Sequence, residues 1–395
     1  MKVVQINAVC GKGSTGKIAV AISELLTKNG IENYIMYSLG TSDYPLAIKY
    51  ASKFDIKINA LKSRIFGNLG FCGKRVTNNI IRNLKVIKPD IVHLHNIHSH
   101  NVHLGLLFDY FKKNKIKVYW TFHDCWAITS YCMYFDMVAC EKWKTSCHNC
   151  SQRKNFSWFI DRSKNLFQRK KELFNGLDLT IITPSNWLAT LVKQSFLREY
   201  EVIVINNGID LSIFEPTPSD FKKSNNIEDK FIILGVAFDW GKRKGLDVFI
   251  ELSKRLSEDY KIVLVGTNEN VDKILPNNIL SIHKTQNQKQ LAEIYSSADV
   301  FVNPTREENF PTVNIEALAC GTPVVTFDTG GSSEILDETC GIVVDKNDVC
   351  ALEEAIVRVV KEKPFLSERC LNRAKMFKSS DRFLDYVELY RGKVI

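Results

Sequence analysis

Val300-Phe-Val-Asn303-Pro304-Thr-Arg-Glu-Glu308-Asn-Phe-Pro-Thr-Val-Asn-Ile-Glu316-Ala-Leu-Ala-Cys-Gly321-Thr-Pro323-Val-Val-Thr326 is the stretch from which the fold of this chain can be read. Val300 to Asn303 is a short apolar run, and Asn309 to Thr312 are turn formers. Val313, Ile315, Ala317 and Leu318 open an apolar segment, and Pro323 to Thr326 is strand-like again. Strand, loop, helix and strand in that order is the unit from which parallel sheets with crossover helices are built. Glu308 then falls in the loop and Glu316 in the first turns of the helix. A helix start presents backbone N–H groups and a positive dipole end to an anion, and an ionised carboxylate accepts two hydroxyl hydrogen bonds. The segment therefore suits a polyhydroxyl ligand that carries phosphate. The competing reading is two acids that merely decorate a helix start.

The same alternation runs through the chain. Lys2 to Val9, Asp90 to Leu94, Lys117 to Phe122 and Leu179 to Thr183 are strand-like runs in the first half, and Phe231 to Val236 and Lys261 to Val265 are others in the second. A chain of 395 residues exceeds one core, so two domains of roughly 150 to 220 residues are expected. Asn207-Gly208, before a Pro- and Ser-containing stretch to Ser219, offers the boundary. No apolar run approaches the ~18 residues of a membrane span. Met1-Lys-Val-Val-Gln-Ile-Asn reads as a buried first strand rather than a signal peptide, which predicts a cytoplasmic protein.

Charge is divided unevenly. Residues 1–208 carry 29 Lys/Arg against 14 Asp/Glu, a net of +15, whereas the rest carries −6. A basic half implies an anionic partner: nucleic acid, a phospholipid surface or a phosphorylated substrate. Lys112 to Lys117 and Arg162 to Lys171 are its densest clusters, each of which also reads as a solvated helix face.

Gly11-Lys-Gly-Ser-Thr-Gly16-Lys17 follows the first strand and opens a helix, like a phosphate loop, until Ile18 stands where a magnesium-holding Ser or Thr is required. Without that ligand the glycines retain a simpler use, which is to let backbone N–H groups approach an anion. A tight strand-to-helix turn with no ligand is the alternative.

Several further motifs occur in a telling order: Pro89-Asp90-Ile-Val-His-Leu-His95-Asn96, Thr121-Phe-His123-Asp124, Val204-Ile-Asn-Asn-Gly208-Ile-Asp210, Gly235-Val-Ala-Phe-Asp-Trp-Gly-Lys-Arg243-Lys244-Gly245, and Gly330-Gly331-Ser-Ser-Glu334. With the two glutamates they resemble the signature of the family 4 retaining glycosyltransferases, in particular a capsule- and exopolysaccharide-type subset. The resemblance implies an α/β chain of the GT-B type, with two Rossmann-like doubly wound domains facing a central cleft. Residues 1–207 would form the acceptor-binding domain with a Cys-rich insert at 125–150, residues 208–380 the donor-binding domain, and 381–395 a C-terminal helix returning to the first.

By the same resemblance Arg243 and Lys244 contact the donor diphosphate, Glu308 a donor-sugar hydroxyl and Glu316 the ribose. Asn309, Phe310, Pro311 and Thr312 face sugar or phosphate with their amides, Thr285 contacts the base, and Gly13 approaches the donor. His123 joins Glu308, Arg243 and Lys244 as catalytic. Gly11, Ser14, Thr15, Gly16, His95 and Asn96 serve the acceptor. Sugar would pass from a UDP- or GDP-sugar to a saccharide or lipid-linked saccharide with retention, the leaving diphosphate helping to deprotonate the acceptor. The chain has no Asp-x-Asp, in keeping with metal-independent transfer. Relatives often place an Arg straight after the glycine of the preceding strand, whereas Val236 and Ala237 follow Gly235 here. A lipid-linked acceptor would put the enzyme at the inner face of an anionic membrane, with no nucleic acid as partner.

Cys132, Cys140, Cys147 and Cys150 fall close together and end in Cys-x-x-Cys, which suits a tetrahedral structural zinc in a reducing compartment; unliganded loop cysteines are the alternative. His93, His95, His98, His100 and His103 form a second crowded set, readable as a metal site or as polar cleft residues. Two rival functions follow from the same residues. One is a nucleic-acid-binding protein built on the basic half and the Cys cluster, and the other a phosphate-loop nucleotide hydrolase.

Overall fold

The computed structural model describes residues 1–98 and 100–393. Val394 and Ile395, the last positions of the expected 381–395 segment, lie outside the described residues. The chain forms two units, one of Met1–Asn206 with the segment from Arg382 onward, the other of Asn207–Asp381.

The first unit holds a seven-stranded sheet of β1 (Lys2–Asn7), β2 (Glu32–Tyr37), β3 (Ala47–Lys49), β4 (Ile91–Leu94), β5 (Lys117–Thr121), β6 (Leu179–Thr183) and β7 (Glu201–Val204). Their spatial order is β3-β2-β1-β4-β5-β6-β7, and every pairing is parallel. Parallel strands need crossovers that cover both faces, so central strands read as unbroken apolar runs. Val4, Ile6, Val92, Leu94, Val118 and Trp120 join a core on one face, while Val3, Ile91, Tyr119 and Ile182 join a core on the other. That second face is covered by the helices Gly13–Lys28 and Leu384–Tyr390, which contribute Ile18, Ile22, Leu26, Tyr386, Val387 and Tyr390. The C-terminal helix thus belongs to the first unit.

The second unit repeats the plan with six strands, β8 (Phe231–Val236), β9 (Tyr260–Val265), β10 (Ile279–Ile282), β11 (Val300–Asn303), β12 (Val324–Phe327) and β13 (Gly341–Val344). Their order is β10-β9-β8-β11-β12-β13, again all parallel. In both sheets the winding reverses beside the first strand of the unit, between β1 and β4 and between β8 and β11. Loops diverge there at the carboxyl ends of the strands, where open parallel sheets bind ligands. The Glu308 loop leaves β11 at that point, and the Gly11 turn and His95 leave β1 and β4. No helix among the described residues is long and apolar enough to cross a membrane.

Candidate functional site

In the second unit two loops are tied together at the switch point. Arg306 N–H donates to the Arg243 carbonyl (2.8 Å), and Arg243 Nη1 reaches the Glu307 carbonyl (3.4 Å). Gly245, which ends the short turn Lys242–Lys244 and starts the helix Leu246–Arg255, has φ +76°, and a Cβ on it would lie 2.5 Å from the Pro304 carbonyl oxygen. Only glycine allows that approach. Gly330 closes the other side: its φ is +59° and a Cβ would fall 2.0 Å from the Glu308 carbonyl oxygen. The following amide, of Gly331, donates to the Asn309 carbonyl (2.7 Å).

Held this way, Lys244 Nζ donates to Glu308 Oε2 at 2.6 Å, both side chains being less than one-fifth exposed. The other oxygen, Oε1, accepts the Asn309 amide (2.9 Å). Burial alone would raise the Glu308 pKa, but Lys244, the Asn309 amide and Arg243 outweigh it and hold the carboxyl below its ordinary value. The helix Thr312–Ala319 starts after Pro311 with no side-chain cap, and Glu316 sits in its second turn, accepting from Tyr295 Oη (3.1 Å). A cation pair from the connection after β8 meets a fixed carboxylate and an uncapped helix start on the connection after β11, which is chemistry suited to a diphosphate and hydroxyl groups.

Other expected donor residues lie around this pair or apart from it. The Phe310 ring is buried against Phe377, centroids 5.7 Å apart, and its carbonyl accepts from Asn207 Nδ2 (3.4 Å), so its side chain belongs to the core. The Asn309 amide is engaged by Glu308. Thr285 follows β10, the edge strand, with β9 and β8 between it and β11. The salt-bridged Arg306, whose Nη1 and Nη2 both donate to Asp247 (2.7 and 2.9 Å), and Tyr295 under Glu316 had no signal in the sequence beyond residue type.

In the first unit the glycine loop is shorter than its motif. Lys12 is already the residue before the helix, which begins at Gly13, so Ser14, Thr15 and Gly16 lie in its first turn rather than in a loop. Gly11 and Gly13 both take positive φ, +69° and +62°. Gly16 is buried, and a Cβ there would press on Val9 and the Gly11 amide at 3.1 and 3.2 Å, so this glycine serves packing. Asn96 N–H donates to Asn7 Oδ1 (3.2 Å), joining the ends of β1 and β4.

Gln5 and His93 sit opposite each other on β1 and β4, on the face covered by the two helices. His93 Nε2 meets Thr121 Oγ1 (2.8 Å) and its Nδ1 meets the Tyr390 hydroxyl from the C-terminal helix. His95, 1% exposed, pairs through Nε2 with Gln5 Oε1 (2.9 Å) and through Nδ1 with His123 Nε2 (3.1 Å). The hydrogen bonds assign the tautomers. Gln5 Nε2 donates to the Ala19 carbonyl (2.9 Å), so its Oε1 accepts and His95 Nε2 carries the proton. Burial and the neighbouring imidazoles depress the His95 pKa well below the usual value. Neutral His95 therefore accepts at Nδ1, and His123 must donate from Nε2, leaving Nδ1 as its unprotonated nitrogen. Burial, opposed by Asp124 and reinforced by His98, lowers the His123 pKa to about 4. His95 thus holds His123 in place. The sequence sign of this chain is Gln5, a lone amide within an apolar strand.

Lys170, within the basic run Arg162 to Lys171, is fully buried: Nζ donates to the Trp126 and Thr129 carbonyls (2.7 and 2.9 Å) and lies 3.5 Å from the centre of the Trp126 ring. It anchors the start of the Cys-rich insert. Cys132, Cys140, Cys147 and Cys150 line one cavity of about 290 Å³, yet among the described residues no group of three or more His, Cys, Asp or Glu is arranged to hold a metal ion. Cys132 pairs with Cys150 and lies near Cys147 and Cys140, while Cys147 also meets Ser130. Neither the set of Cys132, Cys140, Cys147 and Cys150 nor that of His93, His95, His98, His100 and His103 is such a metal-holding group among the described residues.

The family described as Glycosyltransferase Family 4 matches residues 16–213, and that described as Glycosyl transferases group 1 matches residues 217–377. The chain is 24% identical over 420 residues to a protein of Escherichia coli K12 assigned to colanic acid biosynthesis as the glycosyl transferase WcaC, covering 99% of this chain and 100% of that one. Over 225 residues, 51% of this chain and 58% of the other, it is 24% identical to the UDP-Gal:alpha-D-GlcNAc-diphosphoundecaprenol alpha-1,3-galactosyltransferase of Escherichia coli. Among solved structures, Anabaena HepE in complex with UDP superposes with a TM-score of 0.71 at 13% identity over the whole of both chains, a likeness of GT-B fold. These findings give no support to a nucleic-acid-binding protein or a phosphate-loop hydrolase. With both halves of the chain matched and the switch-point chemistry in place, the protein belongs to glycosyltransferase family 4 and is a glycosyltransferase.

Proposed function

We propose that this glycosyltransferase moves a sugar, with retention, from a UDP- or GDP-sugar to a lipid-linked saccharide during assembly of a surface polysaccharide. The observation that carries the reading is the Lys244–Glu308 pair beside the uncapped helix start. Lys244 and Arg243 supply positive charge for a departing diphosphate, Glu308 is fixed to receive a sugar hydroxyl, and Glu316 to receive the ribose. With Lys244 and Arg243 as the source of positive charge, this reading needs no metal in the transfer step. The names of two relatives, one assigned to colanic acid and one acting on a diphosphoundecaprenol from UDP-Gal, support a polysaccharide pathway, a lipid diphosphate acceptor and UDP as the first base to test. In the first unit His123, neutral and oriented by His95, would serve as a hydrogen-bond partner rather than as an acid. A cytoplasmic site at the inner membrane face follows from the acceptor chemistry and the +15 half.

A panel of nucleoside diphosphates and nucleotide sugars read by thermal shift tests this. Ligand at 100 times its dissociation constant stabilises by about 2.7 kcal/mol. One base should shift the transition, and Glu316→Ala should abolish the shift. A folded protein that responds to no nucleotide sugar would overturn the donor assignment.

A further inference from the structure

The helix Lys53–Phe66 packs Ile56 on the core, leaves Ile58 and Ile65 half-buried, and turns Phe54, Leu61 and Phe66 outward. Phe54, Ile58, Leu61 and Ile65 recur at intervals of four, three and four, which puts them on one stripe. Phe54 is 70% and Leu61 49% exposed, while the opposite face buries Asn59 (7%) and Ser63 (1%) against the unit. At 100° per residue Lys53, Lys57 and Arg64 fall on one flank of the stripe and Lys62 on the other. The helix's one acid, Asp55, is engaged in a capping box with Ser52.

A second apolar element is fastened to the end of this helix. Trp158 N–H donates to the Arg64 carbonyl (2.8 Å), and Ser157 Oγ holds the Ile160 carbonyl (2.8 Å). A Cβ on Gly67, φ +65°, would lie 2.8 Å from that same Ile160 oxygen, so the two segments touch backbone to backbone. Tyr131 of the Cys-rich insert locks the junction by donating to the Gly67 carbonyl (3.0 Å) while accepting from Arg162 N–H (3.0 Å). The result is that Trp158, Phe159 and Ile160 stand in solvent, Phe159 at 70% exposure, beside Arg153 and Lys154.

Exposed aromatics and aliphatics on a fixed scaffold, bordered by lysines and arginines, match the boundary of an anionic bilayer: rings enter the headgroup layer and basic side chains reach the phosphates. We propose that the outward stripe of Lys53–Phe66 and the Trp158–Ile160 segment together dock the first unit onto a membrane containing anionic phospholipid. This deepens the membrane part of the proposed function and rests on it. It also gives the Cys-rich insert a role, which is to hold, through Tyr131, the Trp158-Phe159-Ile160 segment that follows it at a set position.

The full chain is to be floated with vesicles of phosphatidylcholine alone and of phosphatidylcholine with phosphatidylglycerol, at 0.1 and 1 M salt. The parent should bind only the anionic vesicles and release them at 1 M salt, where the Debye length shrinks from ~10 to ~3 Å. Lys53→Gln/Lys57→Gln/Lys62→Gln should weaken binding on the order of 100-fold, at about fivefold per charge. Phe54→Ser/Leu61→Ser and Trp158→Ser/Phe159→Ser should each weaken it about tenfold or more. Because all these side chains are exposed, the variants should keep the parent's melting transition and its thermal shift with UDP or GDP. If the parent binds and the variants bind equally well, the patch is wrong and the membrane reading stands. A parent that ignores both vesicle types overturns both. Self-association of the parent without lipid, lost in the apolar variants and accompanied by no vesicle binding, would make the surface an interface between copies and overturn the proposal.

Discussion

Replacing Lys244 by alanine removes the cation 2.6 Å from the Glu308 carboxylate while leaving that carboxylate buried. Breaking a buried pair from one side typically costs 3–5 kcal/mol. The loss here is capped by a second route, protonation of Glu308. From an ordinary value of 4.5, binding a proton at pH 7 costs about 3.4 kcal/mol, at about 1.4 kcal/mol per pH unit. A loss of about 3 kcal/mol at neutral pH is therefore expected. The pH dependence carries the stronger test. In the parent the folded-state pKa lies below the unfolded one, so Glu308 stabilises the fold above pH ~4.5 and ceases to as pH falls through the folded value. In Lys244→Ala burial acts without the neighbouring cation and the folded pKa rises above the unfolded one. The variant is then penalised at pH 7.5, and the penalty shrinks as Glu308 takes up its proton at lower pH. Urea denaturation of parent, Lys244→Ala and Lys244→Ala/Glu308→Gln at pH 7.5 and 5.5 measures this. The gap between parent and single variant should narrow by about 1 kcal/mol or more, and the double variant should recover most of the loss with no pH-dependent gap. A single variant within about 0.5 kcal/mol of the parent, the usual range of uninvolved surface changes, or a gap independent of pH, would refute the buried-pair reasoning.

Glu316→Gln keeps the Tyr295 contact but halves the accepting capacity offered to ribose, so calorimetry with UDP or GDP should show affinity reduced about tenfold or more; equal affinity would place the ribose elsewhere. Arg243→Gln should lower turnover about 10²-fold, as loss of one preorganised charge donor does, and turnover within about twofold of the parent would show the diphosphate held by other groups. His123 should titrate with a midpoint near 4 by NMR of its ring protons. It is therefore neutral across the physiological range and should contribute no limb near pH 6.5 to the rate profile. A midpoint near 6.5 would refute the reading that burial holds His123 neutral.

Local pattern was enough for the central strands and for the loop and helix that carry Glu308 and Glu316. Leu179–Thr183, Phe231–Val236 and Val300–Asn303 are read to the residue because a strand buried on both faces must be a continuous apolar run bounded by turn formers. Gly245 and Gly330 were visible as motif glycines, and the resemblance named Lys244 and Glu308 as donor residues, but their pairing, 64 positions apart on the loops after β8 and β11, appears only in the fold. The family was legible for the same reason, since its motifs mark the loops at the carboxyl ends of those strands.

Side-chain partners across the sheet were not legible. Gln5 and His95 lie 90 residues apart, and His95 and His123 lie 28 apart; they meet only because β1, β4 and β5 are neighbours in the folded order. The basic run Arg162 to Lys171 gave no sign that Lys170 turns inward to cap two carbonyls, and Cys spacing alone could not show that Cys132 pairs with Cys150 while Cys147 meets Ser130. An amphipathic period in Lys53–Phe66 is likewise written in the sequence, but its direction is not. A helix buries whichever face its neighbours can accommodate, and here Asn59 and Ser63 point to the unit while Phe54 and Leu61 point away. Periodicity and turn chemistry act within a few residues, so the sequence by itself determined the elements and their order. Which faces turn inward and which distant polar groups pair depends on packing between elements, and the tertiary structure alone decided that.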